Sequence, residues 1–188
     1  MAEAPVTERD KMLRGELYDA RDPELVAARL AARRLTRQLD ALEPDDAEGR
    51  GRLLRALLGG IGAGSWVESP FFCDYGSQIH LGDRVFVNMS CVFLDAAPIT
   101  LGADVQLGSG VQLLTSDHPR DAGERAAGRE SAFPITIGAR SWLGGGAIVL
   151  PGIEIGADVI VGAGSVVTRP LETGVVAAGN PCRVISRR

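Results

Sequence analysis

The sequence lacks most of what would make a chain disulfide-stapled, membrane-embedded or nucleic-acid-binding. Cysteine occurs three times, at Cys73, Cys91 and Cys182, widely spaced and with no C-x-x-C pair. That number and spacing argue against a disulfide framework and a cysteine-based zinc site. No apolar run approaches the roughly 20 residues of a membrane span. The opening MAEAPVTERDKMLRG has neither the basic region nor the continuous apolar stretch of an export signal. Free thiols in such a chain lead us to expect the cytoplasm. Lys and Arg nowhere cluster with aromatic residues, and the net charge is −4, so no nucleic-acid partner is expected. Histidine is confined to His80 and His118. A histidine-ligated catalytic zinc needs three such ligands, so no metal is expected.

Glycine, by contrast, is abundant, with 24 in 188 residues, and its placement decides the fold. Up to about residue 64 the pattern is helical. Thr7 and Asp10 have capping-box spacing ahead of an amphipathic stretch from Lys11 to Tyr18. Asp22-Pro23-Glu24 supplies an N-cap acceptor, a first-turn proline and a first-turn carboxylate. It opens a helix to about Leu42, with Val26, Leu30, Leu35, Leu39 and Leu42 on or near one face. Pro44 and Asp45 begin a third helix, which Gly59-Gly60 ends.

Then the period becomes six. LGDRVF, VNMSCV and FLDAA are followed, after a two-residue slip, by LGADVQ, LGSGVQ and LLTS. The pattern resumes as IGARSW, LGGGAI, VLPGIE, IGADVI, VGAGSV and VTRPL. Each leading residue, from Leu81 to Val167, is large and apolar, and most are followed by Gly. Neither a helix nor a plain strand repeats every six residues, but a short strand plus a turn does. Three units make a triangular coil, and coils stacked at strand spacing, about 4.8 Å, make a prism filled by the leaders. Glycine, or Asn88 after Val87, then stands at corners where a Cβ is unwelcome or φ is positive. The expected division is a helical segment over 1–64 and a β-prism over 65–188. A polar, proline-flanked loop at about 115–134 interrupts the prism and must be thrown outward. It carries His118, whereas His80, between Ile79 and Leu81, alternates to the surface.

The runs CDYGSQIHLGDRVFVNMSCVFLD, TSDHP and SAFPITIGARSWLGGGAIVLPGIEIGADVIVGAGSVVTRPLETGVVAAGNPCRVI, with DKMLRGELYDARDPEL near the start, resemble the galactoside, maltose and nodulation-sugar O-acetyltransferases of the hexapeptide-repeat kind. The resemblance implies an all-β main domain, a left-handed parallel β-helix, preceded by a small α-helical segment. The hand comes from the resemblance alone, because parallel crossovers are generally right-handed. It also implies transfer of an acetyl group from acetyl-CoA to a sugar hydroxyl, in a homotrimer with active sites between subunits.

On the same resemblance, His118 matches the general base that deprotonates the acceptor hydroxyl, a role suited to an imidazole titrating near neutrality. Asn88 matches a residue that hydrogen-bonds that hydroxyl, which is compatible with its corner position. Asp74 and Asp95 match the sugar-binding edge. Arg29 matches an acceptor-side arginine, and also reads as one more solvated arginine on a basic helix. Trp142, Gly145, Ala163, Thr168, Arg169 and Arg183 match cofactor-binding positions. Of these, Trp142 lies against the pantetheine arm or packs between subunits, and Gly145 offers a backbone N–H as oxyanion donor. Thr168, Arg169 and Arg183 serve the phosphate and adenine end, where Arg187 and Arg188 continue the basic character. Glu130 replaces an apolar acceptor contact found in one branch, which speaks against galactoside specificity. Two rival readings are an acetyltransferase for an antibiotic or amino sugar on the same fold, and a non-catalytic trimeric scaffold. The scaffold has no use for a histidine in an excised loop beside a pair of cofactor-end arginines.

Overall fold

The computed structural model describes residues 5–187, so Arg188 lies outside the described residues. Three helices come first: α1 (Glu8–Leu13), α2 (Pro23–Asp40) and α3 (Ala47–Leu57). Thr7 and Asp10 form the capping box of α1, each side chain accepting from the other's backbone N–H. The helix is shorter than its amphipathic pattern suggests. Gly15, at φ +71°, turns the chain, and Tyr18–Asp19 forms a strand. Asp22 caps α2 and Asp46, rather than Asp45, caps α3. The apolar stripe of α2 is also rotated from the expected one. Leu25, Ala32, Thr36 and Leu39 are buried, while Val26 and Leu30 are 36% and 44% exposed. The reason is tertiary: α2 is wedged between α3 and the strand Phe71–Cys73, and that seam selects its face.

The prism begins at Gly60, a coil ahead of the first legible repeat at Leu81. It has three faces of parallel strands. The first face stacks Gly60–Ile61, Ile79–Leu81, Ile99–Leu101, Ile135–Ile137 and Glu154–Ile155. The second stacks Trp66–Val67, Phe86–Val87, Gln106–Leu107, Trp142–Leu143, Ile160–Val161 and Val175–Ala178, with Arg183–Arg187 added antiparallel. The third stacks Phe71–Cys73, Cys91–Leu94, Gln112–Leu114, Ile148–Val149 and Val166–Val167. The repeat leaders point inward and stack in register, Leu81 on Leu101 on Ile137 on Ile155. All are at most 5% exposed.

The glycines after the leaders divide the two reasons expected for them. A Cβ on Gly102 would lie 2.6 Å from the backbone nitrogen of Ala139 in the next coil, and one on Gly138 would lie 2.4 Å from that of Ala157. Close stacking, not dihedral freedom, therefore requires them. Positive φ falls instead two residues later, at Arg84, Ser90, Asp104, Arg140, Asp158 and several glycines. Asn88 accordingly is not a left-handed residue; Ser90, at φ +63°, takes that conformation in its turn.

Coil length sets one corner apart. Ile137 pairs with Ile155, eighteen residues on, but Leu81 pairs with Leu101, twenty on. The extra residues lie between the third and first faces, where the 115–134 loop also leaves. Here the residue after the leader is never glycine: it is Asp74, Leu94, Leu114, Leu150 or Thr168. Outward side chains also distinguish the faces. The first face shows exposed His80, Thr100, Thr136 and Glu154. The second shows Trp66, Phe86, Gln106, Trp142 and Ile160 in one row, and the third shows Phe72, Val92, Gln112, Ile148 and Val166. Two faces are thus largely apolar outside and one is polar. Among the described residues, no helix is long and apolar enough to cross a membrane.

Candidate functional site

The loop bearing His118 is folded rather than merely extruded. Its root is buried Thr115, whose hydroxyl donates to Leu94 O at 2.6 Å and accepts from Ala97 N–H at 3.0 Å. Ser116–Asp117 then pairs antiparallel with Arg129–Ala132, and that strand pairs in turn with Tyr18–Asp19 of the N-terminal segment. The exposed helix α4 (Ala122–Ala126) connects Ser116–Asp117 to Arg129–Ala132, and Arg125 donates to Pro119 O at 2.9 Å. The Tyr18 hydroxyl donates to Glu130 at 3.0 Å. Burial pushes the Tyr18 phenol pKa upward, so it keeps its proton as the donor. His118 follows this three-stranded sheet directly, its N–H donating to Asp117 Oδ1 at 2.8 Å. Its imidazole is exposed and makes no hydrogen bond among the described residues.

Below His118 on the same prism edge lies a polar cluster. Arg29 donates to the Tyr75 hydroxyl at 2.7 Å and to Ala20 O at 2.6 Å. It therefore ties the helical segment to the corner loop, and is not a freely solvated residue. Asp74 is partly buried, and that burial raises its pKa against the opposing pull of Arg29 and Arg33. Asp95 departs from expectation. It is 0% exposed, and its carboxylate accepts from the N–H groups of Asp74, Tyr75 and Gln78 at 3.0, 2.8 and 3.3 Å. Its three accepted bonds order the 74–78 corner, and the buried carboxylate presents no surface to solvent. Tyr18, Tyr75 and Thr115 were not singled out by their sequence context. Only the contacts of Tyr18 and Tyr75, across 112 and 46 residues, and the burial of Thr115 reveal them.

The remaining candidates lie on the other side of the third face. Asn88, Gly145 and Ala163 occupy the corner before it, with Asn88 Oδ1 accepting from Met89 N–H at 2.8 Å. Gly145 and Ala163 are exposed, and neither N–H has a protein acceptor among the described residues. Trp142 stands outward on the second face, 50% exposed, and Arg183 lies in the strand that extends that face. By contrast Asp74, His118, Thr168 and Arg169 occupy the corner after the third face. Neither Arg169 nor Arg183 is ion-paired among the described residues. One side of the prism, about five extended residues or roughly 16 Å, separates the two groups. The chain therefore carries two half-sets at opposite edges of one face and does not bring His118 to Asn88. Unpaired N–H donors on a Cβ-poor shelf and guanidiniums without a carboxylate partner among the described residues fit a thioester carbonyl and phosphates respectively.

Family models match both the helical segment and the prism. The maltose acetyltransferase hexapeptide capping motif matches residues 11–62, and the bacterial transferase hexapeptide model of six repeats matches residues 134–169. Nodulation protein L of Rhizobium meliloti (strain 1021) is 44% identical over 178 residues, covering 95% of this chain and 97% of that protein. A maltose O-acetyltransferase from Clostridium difficile 630 superposes with a TM-score of 0.95 at 45% identity, covering 96% of this chain and 97% of the other. A hexapeptide-repeat acetyltransferase from Vibrio cholerae O1 biovar eltor, complexed with acetyl coenzyme A, gives 0.89 at 38% identity, with 96% and 98% covered. The chain belongs to the maltose/galactoside O-acetyltransferase family of hexapeptide-repeat proteins and is an acetyl-CoA-dependent acetyltransferase.

Proposed function

We propose that this enzyme transfers the acetyl group to a hydroxyl of a sugar or glycoside in the cytoplasm, with His118 as general base, in a homotrimer whose active sites form between subunits. The carrying observation is the division of the candidate residues between two edges of the third face. A heterologous ring of three copies can lay the edge after the third face of one protomer against the edge before it in the next. The apolar outer rows of the second and third faces supply the surfaces to be covered, and half-exposed Trp142 is among them.

Acetyl-CoA supplies the acetyl group as a thioester. His118 takes the acceptor proton as the hydroxyl oxygen bonds to the acyl carbon, then returns it to the sulfur as the carbon–sulfur bond breaks. Asn88 of the adjacent copy orients the hydroxyl. The Gly145 N–H donates to the acyl oxygen while it carries negative charge. Asp74, held by the Asp95-ordered corner, and Arg29, anchored on Tyr75, shape the acceptor end. Arg169, Thr168 and Arg183 hold the phosphate end. Relatives whose names specify a galactoside or maltose support a sugar acceptor.

The test is thiol release from acetyl-CoA across mono- and disaccharides. Turnover with a hydroxyl acceptor should fall at least ~100-fold in His118→Ala, with coenzyme binding intact. Undiminished turnover in that variant would remove His118 from the chemistry.

A further inference from the structure

We propose that the end of the prism beneath α3 carries a second anion site, in which Arg50 and Arg55 bind a phosphate-type oxyanion. Arg50 is 5% exposed yet has no carboxylate partner among the described residues. Its guanidinium lies 4.9 Å from the Trp66 ring centroid and donates through Nη1 to Val67 O at 3.0 Å and Ser69 Oγ at 3.3 Å. Its Nε is buried with no hydrogen-bond partner. A buried cation with an orphaned donor is costly and points to a partner that the chain itself does not supply.

A cavity of about 260 Å³ adjoins it, enclosed by α3, the first prism corner and Trp66. Among the described residues, Arg50 and Arg55 are the only charged side chains lining it. The carboxylates at its margin are engaged elsewhere: Asp46 accepts from Gly49 N–H and Asp83 from Ala63 N–H. Two guanidiniums around a small cavity match an oxyanion's geometry and charge. This site lies on the first coil, whereas Thr168 and Arg169 follow the last strand of the third face, so it is separate from the cofactor's phosphates and independent of the catalytic reading. Because Arg50 bridges α3 to the first coil, its occupant clamps the helical segment onto the prism.

Thermal unfolding of the full chain against inorganic phosphate, with ionic strength held by chloride, tests this. A saturable rise in Tm of about 3 °C or more is expected, persisting when saturating CoA already fills the cofactor site. It should vanish in Arg55→Gln, an exposed position that spares folding. It should vanish also in Gly51→Glu, whose Cβ would stand 3.2 Å from Arg55 Nη1 and whose carboxylate competes, but not in Gly51→Gln. No saturable rise, a rise that survives Arg55→Gln, or one abolished by CoA or by Arg169→Gln would overturn the proposal.

Discussion

Asp95 acts through backbone amides. Replacing it by Ala leaves the N–H groups of Asp74, Tyr75 and Gln78 buried without an acceptor, so about 1–3 kcal/mol of stability should be lost. Asn keeps Oδ1 for two of these donors and should lose less; denaturant titration of both variants distinguishes the two. Burial pushes the Asp95 pKa up to about 7, outweighing the amides that favour the anion. The folded state therefore holds a proton that the unfolded chain releases near pH 4. That contribution is fully present at low pH and is lost as pH rises toward 7. Relative to Asp95→Asn, wild-type stability should decline across this window; a flat difference would contradict the assignment. Glycines give a second residue-scale contrast. Gly102→Ala drives a Cβ to 2.6 Å from backbone and should cost about 1–3 kcal/mol. Gly174, at φ +74° with open space around it, should accept Asn for about 1 kcal/mol or less.

Among elements, the small sheet joining Tyr18–Asp19, Arg129–Ala132 and Ser116–Asp117 decides how firmly His118 is held. Tyr18→Phe removes only the bond to Glu130. It should lower kcat several-fold while KM for acetyl-CoA stays unchanged, as steady-state kinetics can measure; a change in KM alone would assign Tyr18 to packing. This sheet was invisible in the sequence, because its strands are two to four residues long and the pairing of Tyr18–Asp19 with Arg129–Ala132 spans more than a hundred positions. The prism was legible for the opposite reason: each leader meets the same interior in every coil, so the requirement repeats. The first coil is less legible because Val67 and Cys73 are followed by Glu68 and Asp74 rather than glycine. On α2, the buried Leu25 and exposed Val26 are adjacent, and only the docking seam chooses between them. The placement of His118 in an outward loop was legible in the sequence, but the amide contacts of Asp95 were not, since its partners are backbone atoms of another coil.

At the scale of the whole molecule, the first face is polar outside, and the apolar outer rows are confined to the second and third faces. Ile148→Arg, placing a charge in the outer row of the third face, should dissociate the proposed trimer and abolish turnover together, as light scattering and activity on the same sample would reveal. The central claim is that each active site joins one protomer's edge after the third face to the next protomer's edge before it. Subunit complementation tests it most directly. His118→Ala and Asn88→Ala proteins, each inactive alone, are mixed, unfolded and reassembled. Random ring assembly then restores both intact halves at about a quarter of interfaces, so activity should return to about a quarter of wild type. No recovery on reassembly, with mixed trimers demonstrably formed, would place both residues in one protomer's site and contradict the account.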